Sequence, residues 1–259
     1  MSVAVNTPTQ AKHRVLVVDD EPDFVANLVD ILEDAGFDID STTKPREAVE
    51  LASEHRYDAA ILDWRMPGLD GVRLHGLLRE RQQDLATILL TAYADAETHR
   101  EAEEAGFWSI LEKPCDVPRI RSLLTGMTQR PRLLVVDDEK DFCQGLVEVL
   151  HQHQVRAGFC TSIAEGIGKL ETSDWDIVLL DLKLPSESPR DLVQYVADSG
   201  ASTDVYTVTG QPIGELGAEW ADLRRLGVKA LWQKPLNIPG LLAKVVPAET
   251  HDADSHEPG

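Results

Sequence analysis

Two stretches of the chain carry side chains that could do chemistry. Arg14-Val-Leu-Val-Val-Asp-Asp-Glu-Pro-Asp23 ends an apolar run in two acids, Asp19 and Asp20. Arg132-Leu-Leu-Val-Val-Asp-Asp-Glu-Lys-Asp141 does the same with Asp137 and Asp138. Two further apolar runs end in a single acid, Asp63 and Asp181. Where two buried strands stop side by side, these acids make a cluster of three carboxylates. Like charges that close repel unless a cation stands among them, so each cluster is a candidate site for a hard divalent cation held through oxygen.

The spacing shows that one unit occurs twice. Asp19 and Asp137, Asp20 and Asp138, Asp63 and Asp181, and Thr91 and Thr209 are all 118 positions apart. Phe24, Leu28 and Leu32 map at that offset to Phe142, Leu146 and Leu150. Lys113-Pro114 and Lys234-Pro235 are 121 apart, so three residues are inserted between the Thr and the Lys of the second copy. A fixed offset over so many points marks a duplication.

Each copy alternates strands and helices. In the first copy strands are expected at 15–19, 38–42, 59–63, 87–91 and 109–112. The runs at 15–19 and 59–63 are continuously apolar, as in strands buried on both faces. Pro22 and Pro45 suit the first turns of helices, where a missing N–H costs nothing. Further helices are expected near 71–81, 95–105 and 117–126. The alternation predicts a parallel sheet with helices on both faces, and ligands of such sheets bind at the carboxyl ends of the strands. All six acids fall there, with Thr91 and Lys113. No GxGxxG turn follows the first strand, which argues against a dinucleotide.

Composition bounds the rest. A chain of 259 residues with 42% hydrophobic content suits two cores, expected over 12–128 and 132–246, with residues 1–11 and 247–259 disordered. The formal charge of −20 and pI near 4.7 oppose a nucleic-acid surface. The polar start lacks the pattern of a signal peptide, and no apolar window is long enough for a membrane span. Three cysteines, an odd number without a CxxC pair, read as reduced thiols of a cytoplasmic protein. His55, His75, His99, His151 and His153 are scattered over predicted helices and are read as structural, including the His151-x-His153 pair.

Asp-Asp after strand one, Asp after strand three, Thr after strand four and Lys-Pro after strand five, in that order and twice, resemble the receiver domain of two-component response regulators. The resemblance covers nearly the whole chain. It implies α/β architecture as two consecutive flavodoxin-like (βα)5 domains with parallel five-stranded sheets of order 2-1-3-4-5. It implies Mg2+ held by Asp19, Asp20, Asp63 and the Arg65 carbonyl, and again by Asp137, Asp138, Asp181 and the Lys183 carbonyl. Asp63 and Asp181 are then the phosphoacceptors, with Thr91, Lys113, Thr209 and Lys234 contacting the phosphoryl group. The implied donor is a sensor histidine kinase, a histidine phosphotransfer protein or a small phosphodonor. The implied output is a downstream protein or a homodimer, with no effector domain expected after residue 245.

The chain departs from the family pattern in places. Family members usually carry Tyr or Phe three residues before the Lys; here Ile110 and Leu231 stand there, so the usual aromatic switch is not implied. Met66-Pro-Gly-Leu-Asp-Gly71 follows the first phosphoacceptor, whereas Leu184-Pro-Ser-Glu-Ser-Pro189, without glycine, follows the second. That removes an easy φ > 0 position, so the loop beside Asp181 is expected to differ. Trp232 is expected on the opposite strand face from Leu231, in the core. The fourth helix offers mainly alanine to the core and is expected to be loosely held. The connection left between the copies is a few residues long, which predicts a restricted relative orientation testable by solution scattering.

Other readings of the same residues are an acidic adaptor that does not cycle phosphate, and helix capping by Asp20 or Asp138. A phosphatase similar to the haloacid dehalogenases would need an acid two residues after its nucleophile; Arg65 and Lys183 stand there.

Overall fold

The computed structural model describes residues 13–185, 187–212 and 216–245. The expectations for 1–11 and 247–259 lie outside the described residues. The chain divides into two compact units between Gln129 and Arg130.

Unit 1 runs β1 (Arg14–Val18), α1 (Pro22–Asp34), β2 (Asp38–Thr42), α2 (Pro45–Glu54), β3 (Ala59–Asp63), α3 (Gly71–Arg81), β4 (Ala86–Thr91), α4 (Ala96–Ala105), β5 (Ser109–Glu112) and α5 (Val117–Thr128). Unit 2 runs β6 (Arg132–Val136), α6 (Lys140–Gln152), β7 (Arg156–Cys160), α7 (Ile163–Thr172), β8 (Ile177–Asp181), α8 (Pro189–Ser199), β9 (Asp204–Thr209), α9 (Gly217–Arg225), β10 (Ala230–Gln233) and α10 (Ile238–Val245). The sheets are parallel, with orders β2-β1-β3-β4-β5 and β7-β6-β8-β9-β10. Both are the expected 2-1-3-4-5 order.

The central strands are apolar throughout because helices cover both faces. In β1, Val15 and Val17 pack on Leu28, Leu32, Ile120 and Leu124 of α1 and α5. The alternate residues Leu16 and Val18 pack on Ala48, Leu74 and Leu78 of α2 and α3. Each such Val or Leu contributes about 1.5–3 kcal/mol by leaving water. β6 repeats this alternation with Leu133 and Val135 on one face, Leu134 and Val136 on the other. Offset 118 holds through β9, and 121 applies from α9 onward, so the three inserted residues lie in the β9–α9 connection.

The fourth helices differ between the units. α4 buries Thr98 and Ala102 and is fixed by caps: Asp95 accepts from the Thr98 N–H, and Gly106 closes the end at φ 82°. In unit 2, Leu216 and Leu223 are buried and Trp220 packs beside them. The apolar anchor is therefore larger in unit 2 than the first copy suggested. His75 is a core residue, 2% exposed, stacked on Phe107 at 4.2 Å between Thr87 Oγ1 and the Ala105 carbonyl. Trp232 packs with the α6–α10 core while Leu231 packs on the other face.

Candidate functional site

At the carboxyl ends of β1, β3 and β5 the chain brings Asp19, Asp63 and Lys113 together. Lys113 Nζ lies 2.5 Å from Asp19 Oδ2 and 2.6 Å from Asp63 Oδ1. In unit 2, Lys234 Nζ lies 2.6 Å from Asp137 Oδ2 and 3.0 Å from Asp181 Oδ2. Each lysine follows the last strand of its sheet and precedes a cis proline, Pro114 or Pro235. Each ammonium also sits over an aromatic ring, Phe24 at 4.6 Å or Phe142 at 4.4 Å. The sequence marked these phenylalanines only as helix-face residues. Their equal offset and their place in the first turn of α1 and α6 were the available signal.

Backbone donors orient the carboxylates. The Glu21 and Glu139 N–H groups each donate to the acid two residues earlier, Asp19 and Asp137, at 3.0 Å. Arg65 N–H donates to Asp63 at 2.9 Å and Lys183 N–H to Asp181 at 3.1 Å. Asp20 and Asp138 are exposed, and neither caps a helix: the N-cap positions are Glu21 and Glu139, without side-chain capping bonds. Thr91 and Thr209 end the strands next to those that end in Asp63 and Asp181, but their hydroxyls turn to their own loops. Thr91 Oγ1 donates to the Tyr93 carbonyl at 3.0 Å, and Thr209 Oγ1 accepts from the Gln211 N–H at 2.9 Å.

The units differ in how the acids gather. Asp137, Asp138 and Asp181 each bring an oxygen within 4.8 Å of the others, the only such metal-competent triple among the described residues. Hard oxygen donors that close suit an octahedral Mg2+ with ligand distances of about 2.0–2.1 Å. The donor chemistry of Asp19, Asp20 and Asp63 is the same, with the oxygens further apart.

Electrostatics follow from two carboxylates sharing one ammonium. Burial raises Asp63, and Asp19 beside it adds to the rise against the opposing pull of Lys113. Burial likewise raises Asp19 and, in unit 2, Asp137. Burial alone would lower Lys113, but its bonds to Asp19 and Asp63 outweigh this and raise it. The lysine gains from two partners, while each acid has a share of one cation and has lost its hydration. Asp19 and Asp63 therefore hold protons more readily folded than unfolded, so their contribution to stability is greatest at low pH. It falls as pH rises from the ordinary carboxylate range near 4 through their raised values. In metal-free buffer, the Asp19→Asn/Asp63→Asn variant of the full chain is expected to show a flatter loss of stability over that range than the wild type. Identical slopes in urea unfolding would refute this.

The loops after Asp63 and Asp181 differ as expected. In unit 1, Gly68 takes φ 83°, and Gly71 lies so close to the Asp63 carbonyl that a Cβ would meet it at 2.3 Å. In unit 2, Glu187 reaches across to α7, where its carboxylate accepts from the Ile163 N–H at 2.7 Å. That N–H is one of the orphan donors of the first turn, beside the Ser162 cap. Glu187→Ala is expected to cost about 1 kcal/mol and to speed hydrogen exchange at Ile163. Unchanged exchange there would show that the bond does not hold the loop.

A doubly wound parallel sheet with an acid–lysine cluster at its carboxyl edge defines the class: an α/β module of flavodoxin-like topology. The family model described as the response regulator receiver domain matches residues 15–125 and again 133–246, and the chain belongs to that family. Its two units are therefore phosphoacceptor modules of two-component signalling. A response regulator receiver protein of Anaeromyxobacter sp. (strain Fw109-5) is 31% identical over 199 residues, 76% of this chain and 82% of that protein. The transcriptional regulatory protein PrrA of Mycobacterium tuberculosis is 31% identical over 149 residues, and the match spans 58% of this chain and 62% of PrrA. Among solved structures, the response regulator TrrA of Thermotoga maritima, in complex with Mg(2+)-BeF, is 30% identical with a TM-score of 0.41, covering 44% of this chain and 98% of that one. No helix among the described residues is long and apolar enough to cross a membrane.

Proposed function

We propose that the chain is a phosphorelay response regulator with receiver units over 12–128 and 132–246, and that it takes up phosphoryl groups at Asp63 and Asp181. The observation that carries this reading is the lysine ammonium standing between two aspartates at the same sheet edge in both units. Asp19, Asp20, Asp63 and the Arg65 carbonyl would hold Mg2+ in unit 1; Asp137, Asp138, Asp181 and the Lys183 carbonyl would hold it in unit 2. When bound, Mg2+ supplies positive charge that offsets the repulsion between a carboxylate and a phosphoryl anion.

The chain's own residues do the rest. An Asp63 oxygen attacks phosphorus in a phosphohistidine or a small phosphodonor, and the P–N or P–O bond to the donor breaks, leaving an acyl phosphate. Lys113, already paired with Asp63, follows the charge onto a phosphoryl oxygen. The Thr91 hydroxyl exchanges the Tyr93 carbonyl for another. Asp181, Lys234 and Thr209 act alike. Added phosphate charge of about −2 then biases a surface toward a protein partner or a second copy. α4, whose buried side chains are Thr98 and Ala102, is the element of unit 1 most easily shifted. Incubation with Mg2+ and acetyl phosphate should give hydroxylamine-labile phosphate that needs the metal. Metal-independent or hydroxylamine-resistant phosphate would oppose the reading.

A second reading, an adaptor that binds partners without cycling phosphate, is favoured by Ile110 and Leu231 in place of switch aromatics. Partner binding unaffected by the Asp63→Asn/Asp181→Asn variant would select it.

A further inference from the structure

The two units differ at the opposite, amino-terminal edge of the sheet. In unit 1 the buried side chain of Gln82, 3% exposed, plugs the gap between the end of α2 and the start of β3. Its Oε1 accepts from the Tyr57 N–H at 2.9 Å. Its Nε2 donates to the carbonyls of Ala52 at 3.1 Å and His55 at 2.6 Å. Outside this plug, Arg56 pairs with the buried Asp84 at 2.9 Å. A primary carboxamide thus satisfies one backbone donor and two backbone acceptors, closed over by an ion pair.

Unit 2 has lost both the plug and the cover. At the 118 offset Gln82 becomes Gly200, Tyr57 becomes Trp175, and Ala52 and His55 become Leu170 and Ser173. Arg56 and Asp84 become Asp174 and Ser202, which cannot form the ion pair. The backbone register is kept: Asp58 N–H donates to the Arg14 carbonyl, and Asp176 N–H donates to the Arg132 carbonyl. In place of the plug is a cavity of about 310 Å³ lined by Leu170, Ser173, Trp175, Tyr195 and Thr203, among others. The Trp175 indole N–H donates to the Lys169 carbonyl at 3.2 Å, whereas its backbone N–H makes no hydrogen bond among the described residues. Ser173 Oγ is buried without a partner. Buried polar groups left unpaired cost free energy that a ligand of matching polarity recovers, and the volume is that of a small-molecule site.

We infer that this cavity of unit 2 is a binding site for a small molecule bearing a primary carboxamide, which takes the place Gln82 holds in unit 1. The carboxamide oxygen accepts from the Trp175 backbone N–H, and its NH2 donates to the carbonyls of Leu170 and Ser173. Asp174 and Asp176 are exposed at the rim and select against an anionic ligand. A carboxylate in place of the amide would face two carbonyls with no hydrogen to offer them. The site lies away from the aspartate clusters and does not depend on their proposed role.

The test is titration of the full isotope-labelled chain with two isosteric pairs, L-glutamine against L-glutamate and nicotinamide against nicotinate, followed by NMR. The expected result is a saturable shift of the Trp175 backbone amide with at least one amide, and binding of the matching acid at least about tenfold weaker. Gly200→Gln, which supplies the plug from within, should abolish the shift while leaving phosphoryl uptake at Asp63 and Asp181 unchanged. Gly200 has φ 69°, so this variant carries backbone strain, and the wild-type titration decides without it. The proposal is overturned if neither amide moves the Trp175 amide, or if amide and acid bind equally.

Discussion

Replacing Asp63 with asparagine is expected to abolish phosphoryl uptake by unit 1, by a factor of at least about 100, and at the same time to stabilise that unit at neutral pH. The first effect follows because an amide oxygen at this position is no longer an anionic nucleophile. The second follows from the charge count at the site. Asp19 and Asp63 are both buried, one ammonium serves both, and burial has already raised both acids. Removing one charge leaves a matched Lys113–Asp19 pair. The gain should be about 1–2 kcal/mol in metal-free buffer, a rise of roughly 5 °C or more in the melting temperature of unit 1. It should shrink at acid pH, where the wild-type carboxylates are already protonated, and in Mg2+. Calorimetry of the full chain, with hydrogen exchange to locate the change, checks it. A destabilised Asp63→Asn unit at pH 7 would show that the lysine compensates both acids, and the electrostatic description would fail.

Gly71→Ala is the second large effect, of opposite sign in stability. Gly71 opens α3, and its N–H donates to the Trp64 carbonyl at 2.9 Å. The added Cβ would sit 2.3 Å from the Asp63 carbonyl oxygen and 3.0 Å from Leu89 Cδ1. Neither neighbour is the free end of a flexible side chain: one is backbone at the end of a buried strand, the other a fully buried core methyl. Either α3 moves out or Asp63 moves. The expected cost is about 3 kcal/mol or more, and because Asp63 is displaced, labelling at Asp63 should fall about tenfold to a hundredfold even where the unit stays folded. Unit 2 carries Pro189 at the matching position, so its loop takes another path and Pro189→Ala should show neither effect. Wild-type stability and labelling in Gly71→Ala would mean that the approach of α3 to Asp63 is looser than described.

These two residues mark how much the sequence could say. Asp63 was legible because chemistry and position coincide: an acid ending an apolar run, repeated 118 residues later. The sheet order and the lysine at the last strand's end were legible for the same reason. Gly71 was legible as a loop glycine but not for its reason, since its φ is ordinary and the constraint is a carbonyl brought close by folding. Phe24 and Phe142 look like any helix-face aromatic until the lysine of a strand some 90 residues later is placed over the ring. Gln82 drew no notice in the sequence; only the fold shows three backbone groups meeting its amide. The anchor of α9 was hidden because the insertion before it shifted the alignment of Leu216 and Leu223 against the alanine-rich α4. What escaped for the phenylalanines and Gln82 was proximity between segments far apart in the chain.

The central claim is that two aspartates, each beside a strand-end lysine, are the groups that take up phosphate. Acyl phosphates are reduced by borohydride, which converts the modified aspartate to homoserine. The full chain should be phosphorylated with acetyl phosphate and Mg2+, reduced, digested, and its peptides sequenced by mass spectrometry. Homoserine at positions 63 and 181 alone, lost when Mg2+ is chelated beforehand, is the predicted result. Homoserine at Asp19, Asp20, Asp137 or Asp138, or phosphate retained on a side chain that borohydride leaves untouched, would contradict it.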